Sequence, residues 1–231
     1  MARWWTLRGS ARSSIVALVA ATALGAALGG CKIFGAVAYF AEKDKKIEIP
    51  PEYDGLQNET VAVVVQADMA TLYEHPTVPA NIATNVSHRI QMNVAGVTVR
   101  DPREVLAWQY QTPGWMTLPY GDIARELDVD RVVYIDMYEY RLNPPGNRWL
   151  WEGVCAANVG IIEREGLDPD SFSHTYNVVG KFPPIEGVGR DNATQSQIET
   201  GVIVRFIEEA SWLFYTHIQP KYPNDRADAV Q

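Results

Sequence analysis

Cysteine is nearly missing from this chain. Only Cys31 and Cys155 occur among 231 residues. At most one disulfide could form, so a hydrophobic core rather than a covalent framework has to hold the fold. Histidine is also scarce. His75, His88, His174 and His217 are the four present, and none stands four residues from another His or from a Cys. That spacing excludes a helical zinc pair. There is no G-x-S-x-G, no P-loop, and no G-x-G-x-x-G leading from a strand into a helix; Gly187-Val188-Gly189 has no strand before it. Positive charge is in deficit, with 20 Lys and Arg against 28 Asp and Glu. An acidic chain lacks the basic face that phosphate contacts require, so nucleic acid is excluded as a partner. Broad electrostatic attachment to anionic lipid is excluded on the same ground.

Long apolar runs are confined to the start. Arg3, Arg8 and Arg12 precede an apolar stretch from Ile15 to Leu28 that ends in small residues. A basic segment, an apolar segment and a small-residue end describe an export signal. The run is shorter than the roughly 20 residues a spanning helix prefers. Leu28-Gly29-Gly30-Cys31 resembles the lipobox of bacterial lipoproteins. That resemblance implies cleavage between Gly30 and Cys31, with Cys31 carrying the acyl chains. The mature chain would then carry 17 basic and 28 acidic residues, net −11. Cys155 would be left without a partner, as a small buried hydrophobe in GVCAANVGII. The residues also admit a signal anchor, because Ile33 to Ala41 is apolar again and residues 14–41 could form one span. Lys32 would lie inside that span, at a cost of about 2.5–3.5 kcal/mol. Both readings place the body on the exported side, facing the periplasm or the cell exterior.

Residues 31–60 are expected to form a tether, with an edge segment at Ile47–Ile49 and a break at Pro50-Pro51. A globular domain is expected over 61–219 and a polar tail over 220–231. Val61 to Val65 is a continuous β-branched run, the mark of a strand buried on both faces. Residues 68–79 read as a loop. Ile82, Val86, Ile90 and Val94 repeat at helical spacing after Pro79. Val97–Val99 is a short strand. Asp101-Pro102-Arg103-Glu104 opens a helix running to Gln111, and another covers Tyr120 to Leu127. Arg131 to Leu142 is the strongest strand. Residues 143–147 (NPPGN) form a hairpin turn, and strands follow at 149–163 and 172–182. A last helix runs from Ala193 to Ile218. The fold class is α/β (α+β): a single mixed sheet of about five strands with three to four packed helices, ordered β-α-β-α-α-β-β-β-α after the signal helix.

Three segments carry a further resemblance: VAVVV at 61–65, DIARELDVDRVVYIDMYEY at 122–140 and ASWLFYTHI at 210–218. Together they resemble the exported lipoprotein domains related to the curli-secretion lipoprotein and to the amino-terminal domain of the Tol-system β-propeller protein. The resemblance implies this fold and an envelope location. It implies no catalytic residue.

The site candidates follow from aromatics and turns. Tyr134, Tyr138 and Tyr140 should share one strand face opposite Trp149 and Trp151. The end of that hairpin, with Tyr138, Tyr140, Pro144, Pro145, Trp149 and Trp151, is the candidate partner contact. A ligand loop would use Tyr73, His75, Trp115 and Tyr120 at the carboxyl ends of strands. Asp136, in a strand interior, should be paired by a neighbouring strand's side chain. A hydrolase would need two or more of Asp68, His75, Asp136 and His174 to converge. The expectation is a non-enzymatic, membrane-anchored envelope module with a protein partner or a second copy. It takes no metal and no cofactor. The alternatives are a small-ligand or glycan binding module and, after that, a hydrolase.

Overall fold

A computed structural model describes residues 46–220. The signal, the cleavage position and Cys31 lie outside the described residues. The chain divides into two compact units. One comprises residues 48–217. The described residues of the other are 46–47 and 218–220. β1 (Lys46–Ile49) pairs with β9 (His217–Pro220) in a two-stranded sheet of their own.

Residues 48–217 are built on one five-stranded mixed sheet. β2 (Thr60–Ala67) has the two-residue β3 (Thr98–Val99) on one side and β4 (Arg131–Arg141) on the other, both parallel to it. β6 (Gly153–Glu163) is antiparallel to β4, and β7 (His174–Phe182) is antiparallel to β6 at the far edge. The Val61–Val65 run is buried throughout, because helices cover both faces of β2. On one face lie α2 (Val78–Asn93) and α5 (Gln195–Trp212), which bring Ile82, Val86, Ile90, Ile198 and Phe206 onto Val63, Val133, Ile135 and Val159. On the other face lie α3 (Pro102–Gln111) and α4 (Tyr120–Glu126), which bring Val105, Ile123 and Ala124 onto Ala62, Val64, Val132 and Ile162. Each fully buried aliphatic side chain of this kind contributes roughly 1.5–3 kcal/mol of transfer free energy. The mixed α+β class and the five-stranded sheet are as expected from the residue pattern.

Helix starts follow local chemistry. Asp101 accepts Arg103 N–H at 2.9 Å at the start of α3. Thr194 and Gln197 form a reciprocal capping box on α5, which satisfies two amides that would otherwise be orphaned. The 68–79 segment is not a loop throughout. Asp68 accepts Thr71 N–H at 2.7 Å and starts the six-residue helix α1 (Met69–Glu74). One and a half turns are too few to show a hydrophobic period.

Four other expectations are corrected. Residues 50–60 are not simply a tether, since Tyr53 and Leu56 are buried in the core and the amides of Glu52 and Tyr53 both donate to Leu213 O at 2.9 Å. The last helix stops at Trp212 rather than Ile218. There Phe214 N–H closes a tighter turn on Ser211 O, which lets Leu213 and Phe214 reach the core, and His217 falls in β9. The strand expected over 149–163 is interrupted at Glu152. Its first piece, β5 (Leu150–Trp151), leaves the main sheet to pair with β8 (Val188–Gly189), between the strand expected over 172–182 and the last helix. Finally, the three tyrosines of β4 do not share a face. Met137 stands opposite Ala157 but Glu139 stands opposite Ala156, so Tyr138 is the extra residue of a bulge. A bulge reverses the alternation beyond it. Tyr134 is buried with Trp115 on the α3/α4 face, whereas Tyr140 packs on the α2/α5 face.

Candidate functional site

The hairpin between β4 and β6 ends in a tip that the residues around it hold rigid. Asn147 N–H donates to Pro144 O at 3.1 Å, with Gly146 at φ +77°. Pro145 and Gly146 thus occupy the middle of a turn whose third position needs positive φ. Trp149 N–H donates to Asn147 Oδ1 at 2.9 Å, and Asn143 Nδ2 donates to Leu150 O at 2.6 Å. Two arginines clamp the tip from either side. Arg141 donates through Nη1 to Asn143 O at 3.0 Å and through Nη2 to Glu152 at 2.8 Å. Its guanidinium is further fixed by Glu139 at 2.6 Å. Arg190 donates to Arg148 O and to Asn143 Oδ1. Its guanidinium lies 4.4 Å over the Trp151 ring, a cation–π contact.

The two tryptophans have opposite fates. Trp151 is buried, donates Nε1–H to Ala193 O at 2.8 Å and stands opposite Val188. Trp149 is 81% exposed. Neither faces a tyrosine of β4, because β5 has left the sheet; Tyr140 stands opposite Cys155 instead. Asn143, Pro144, Gly146, Asn147, Arg148 and Trp149 line an open concavity of about 570 Å³. Of the expected contact residues, Pro144, Pro145 and Trp149 come together at the tip. Trp151 supports it from below, and Tyr138 lies further down the strand, accepting a hydrogen bond from Asn177 at 2.9 Å. Arg190 was not among the candidates, and nothing in GRDN marks it, since its place follows from the pairing of β8 with β5.

The expected ligand loop does not assemble. Trp115 is buried, with Trp108 at 5.9 Å and Tyr134 at 6.0 Å between ring centroids. Tyr120 stacks on Phe172 at 4.3 Å. His75 lies across the sheet, edge-on to Tyr140 at 4.8 Å and 3.7 Å from Glu199. Tyr73 is 88% exposed on α1. Burial and aromatic packing took Trp115 and Tyr120 out of the expected loop.

The four hydrolase candidates also separate. Asp68 caps α1. Asp136 lies on the α3/α4 face between Gln66 and Asn158 in register, and its carboxylate takes no hydrogen bond or ion pair among the described residues. The expected pairing by a neighbouring side chain is absent, since neither the Gln66 nor the Asn158 amide donates to it. Gln66 accepts from Tyr134, and Asn158 accepts from Asn177 at 3.2 Å. His174 stands opposite Ile161, while His75 sits by Tyr140, opposite Cys155. Six residues along β6 put those two imidazoles about 20 Å apart. Cys155 is fully buried, and burial pushes its thiol well above the usual range, so it is no nucleophile. Among the described residues no cluster of three metal-ligating side chains occurs, and no helix is long and apolar enough to cross a membrane.

No family model matches this sequence, and no curated protein does. Solved structures do show a likeness. The PelC dodecamer from Paraburkholderia phytofirmans has a TM-score of 0.42 at 11% identity, over 74% of this chain and 97% of that one. Lipoprotein GNA1162 from Neisseria meningitidis has a TM-score of 0.40 at 12% identity, over 61% and 90%. The hypothetical protein CT253 from Chlamydia trachomatis has a TM-score of 0.39 at 10% identity, over 67% and 92%.

Proposed function

We propose that this chain is an exported lipoprotein anchored through Cys31, and that its globular unit is a non-enzymatic interaction module. Its contact surface is the hairpin tip around Trp149. The observation that carries this reading is the contrast at the tip: a fully presented tryptophan on a loop clamped by Arg141 and Arg190. Aromatic anchors on preorganised loops are what interface centres are made of. The lipobox-like stretch supports the location. Asp68, His75, Asp136 and His174 make no hydrogen bond or ion pair with one another among the described residues, which supports the non-enzymatic reading.

The reading is tested by recovering partners of the full-length protein from native membranes. Trp149→Ala should weaken recovery of the tip's partner by about 30-fold, the equivalent of a 2 kcal/mol anchor. Tyr73→Ala, on an exposed ring elsewhere, should leave it unchanged. Equal recovery with Trp149→Ala overturns the assignment of the tip.

A further inference from the structure

We infer that the tip's partner is a second copy of this chain, which docks its β6–β7 loop onto the tip in head-to-tail order. The inference rests on the tip being the contact surface and names what fills it. The loop at residues 164–173 is the tip's complement. Leu167 is fully exposed at its apex. Glu165, Asp168 and Asp170 surround it, and none of them forms an ion pair among the described residues. The loop, too, is braced by its own hydrogen bonds. Gly166 N–H donates to Glu163 O at 3.1 Å, Ser171 Oγ donates to Asp168 O at 3.2 Å, and Asp170 Oδ1 accepts Gly121 N–H at 3.1 Å.

The tip carries the opposite features. Arg148 and Arg190 meet no carboxylate in an ion pair among the described residues, and Trp149 offers an apolar face. The chain, acidic as a whole, thus carries both a basic spot with an exposed ring and an acidic loop with an exposed leucine. The two cannot meet within one molecule. They sit at opposite ends of the eleven-residue strand β6, about 35 Å apart at the rise of a strand. Tip against tip would set arginine against arginine, and loop against loop would set carboxylate against carboxylate. Opposite charges meet only when the tip of one copy takes the loop of the next. That is a heterologous contact, and repeating it closes a ring or extends a row.

The test uses full-length protein in native membranes and a short bifunctional maleimide. Pro145→Cys with Ser171→Cys in the same chain, both exposed and leaving Trp149 and Leu167 in place, should give a ladder of dimers, trimers and higher species. Either substitution alone should stay at the wild-type background. Co-expression of the two single variants should stop at dimers, because each chain then offers one reactive end. Arg148→Glu in the doubly substituted chain should cut the ladder severalfold. Folding is monitored on the same gel by Cys155, which is buried and stays unlabelled until denatured. A folded double variant that remains monomeric overturns the second-copy inference, as does Pro145→Cys alone forming dimers. If that monomer coincides with loss of another membrane partner on Trp149→Ala, the tip remains the contact surface and only its occupant is wrong. If neither effect appears, both readings fall.

Discussion

Asp130 shows what a single carboxylate can do for a sheet. It ends the turn from α4, just after Asp128 takes a left-handed φ of +50°. Its Oδ2 accepts Thr60 N–H at 3.0 Å and the Thr60 hydroxyl at 2.5 Å. Its own N–H returns to Thr60 O at 3.0 Å, and its carbonyl takes Arg164 N–H at 3.0 Å. One residue therefore ties together the starts of β2 and β4 and the end of β6. The hydrogen bonds from Thr60 hold the Asp130 carboxyl below the ordinary aspartate range. A carboxyl whose pKa is lower folded than unfolded stabilises the fold above its unfolded value. That stabilisation is lost as pH falls from about 4 through the lowered folded value. Asp130→Ala should cost about 2 kcal/mol at neutral pH, the worth of hydrogen bonds to a charged acceptor. Denaturant unfolding measured from about pH 7 down to pH 3 should show a shallower acid loss in the variant than in the wild type. Equal slopes would mean that other carboxylates carry the acid sensitivity. An Asp suits a helix-to-strand turn, but nothing in the sequence marks the reach to Thr60, seventy residues away.

At the scale of elements, the close approach of α5 to the sheet depends on a missing side chain. A Cβ on Gly180 of β7 would lie 2.6 Å from Phe206 N and 2.7 Å from its Cα, both backbone atoms of α5. Backbone cannot swing away as a side-chain end can, so the helix would have to lift. Phe206 is completely buried and is among the largest such side chains in the core. Gly180→Ala should therefore cost about 2–3 kcal/mol as overpacking, read as a lower denaturation midpoint with an unchanged slope. Stability equal to wild type would show that α5 slides without strain. The elements legible in the sequence were those with their own signal: the Val61–Val65 strand, the Ile82-Val86-Ile90 stripe and the Asp101 cap. Those it hid are set by tertiary contact. Tyr53 and Leu56 lie in a charged, proline-containing stretch, and the core captures them nonetheless. The bulge at Tyr138 has no glycine or proline to announce it, yet it decides which face Tyr140 joins. Likewise, the exposure of Trp149 and the burial of Trp151 differ only because β5 pairs with β8.

For the whole molecule, location and assembly have one physical logic. The chain is acidic, net −8, and would be −11 if cut before Cys31; an anionic bilayer repels such a charge, so surface electrostatics cannot hold it there. Two or three acyl chains can, whereas one would be marginal. Anchoring also confines copies to a plane and raises their effective concentration, which lets modest end-to-end contacts act. The lipobox-like reading requires Cys31 to be both the first mature residue and the acylated one. Mass spectrometry of membrane-extracted protein should find an acylated amino-terminal peptide beginning at Cys31. Cys31→Ser should leave the precursor uncut, still carrying Arg3, Arg8 and Arg12, with no acyl mass. A wild-type chain recovered with Met1 intact would instead establish the signal anchor, with Lys32 inside a span of residues 14–41. The globular unit would then hang from a helix rather than from lipid. The cross-linking ladder separates these outcomes from assembly, because head-to-tail contacts depend on residues 148–149 and 165–167 and not on the form of the anchor. A ladder that persists in Cys31→Ser membranes would show that planar confinement alone, by whatever anchor, is enough. A ladder that vanishes there, with Cys155 still protected, would show that lipid orients the tip toward its neighbour.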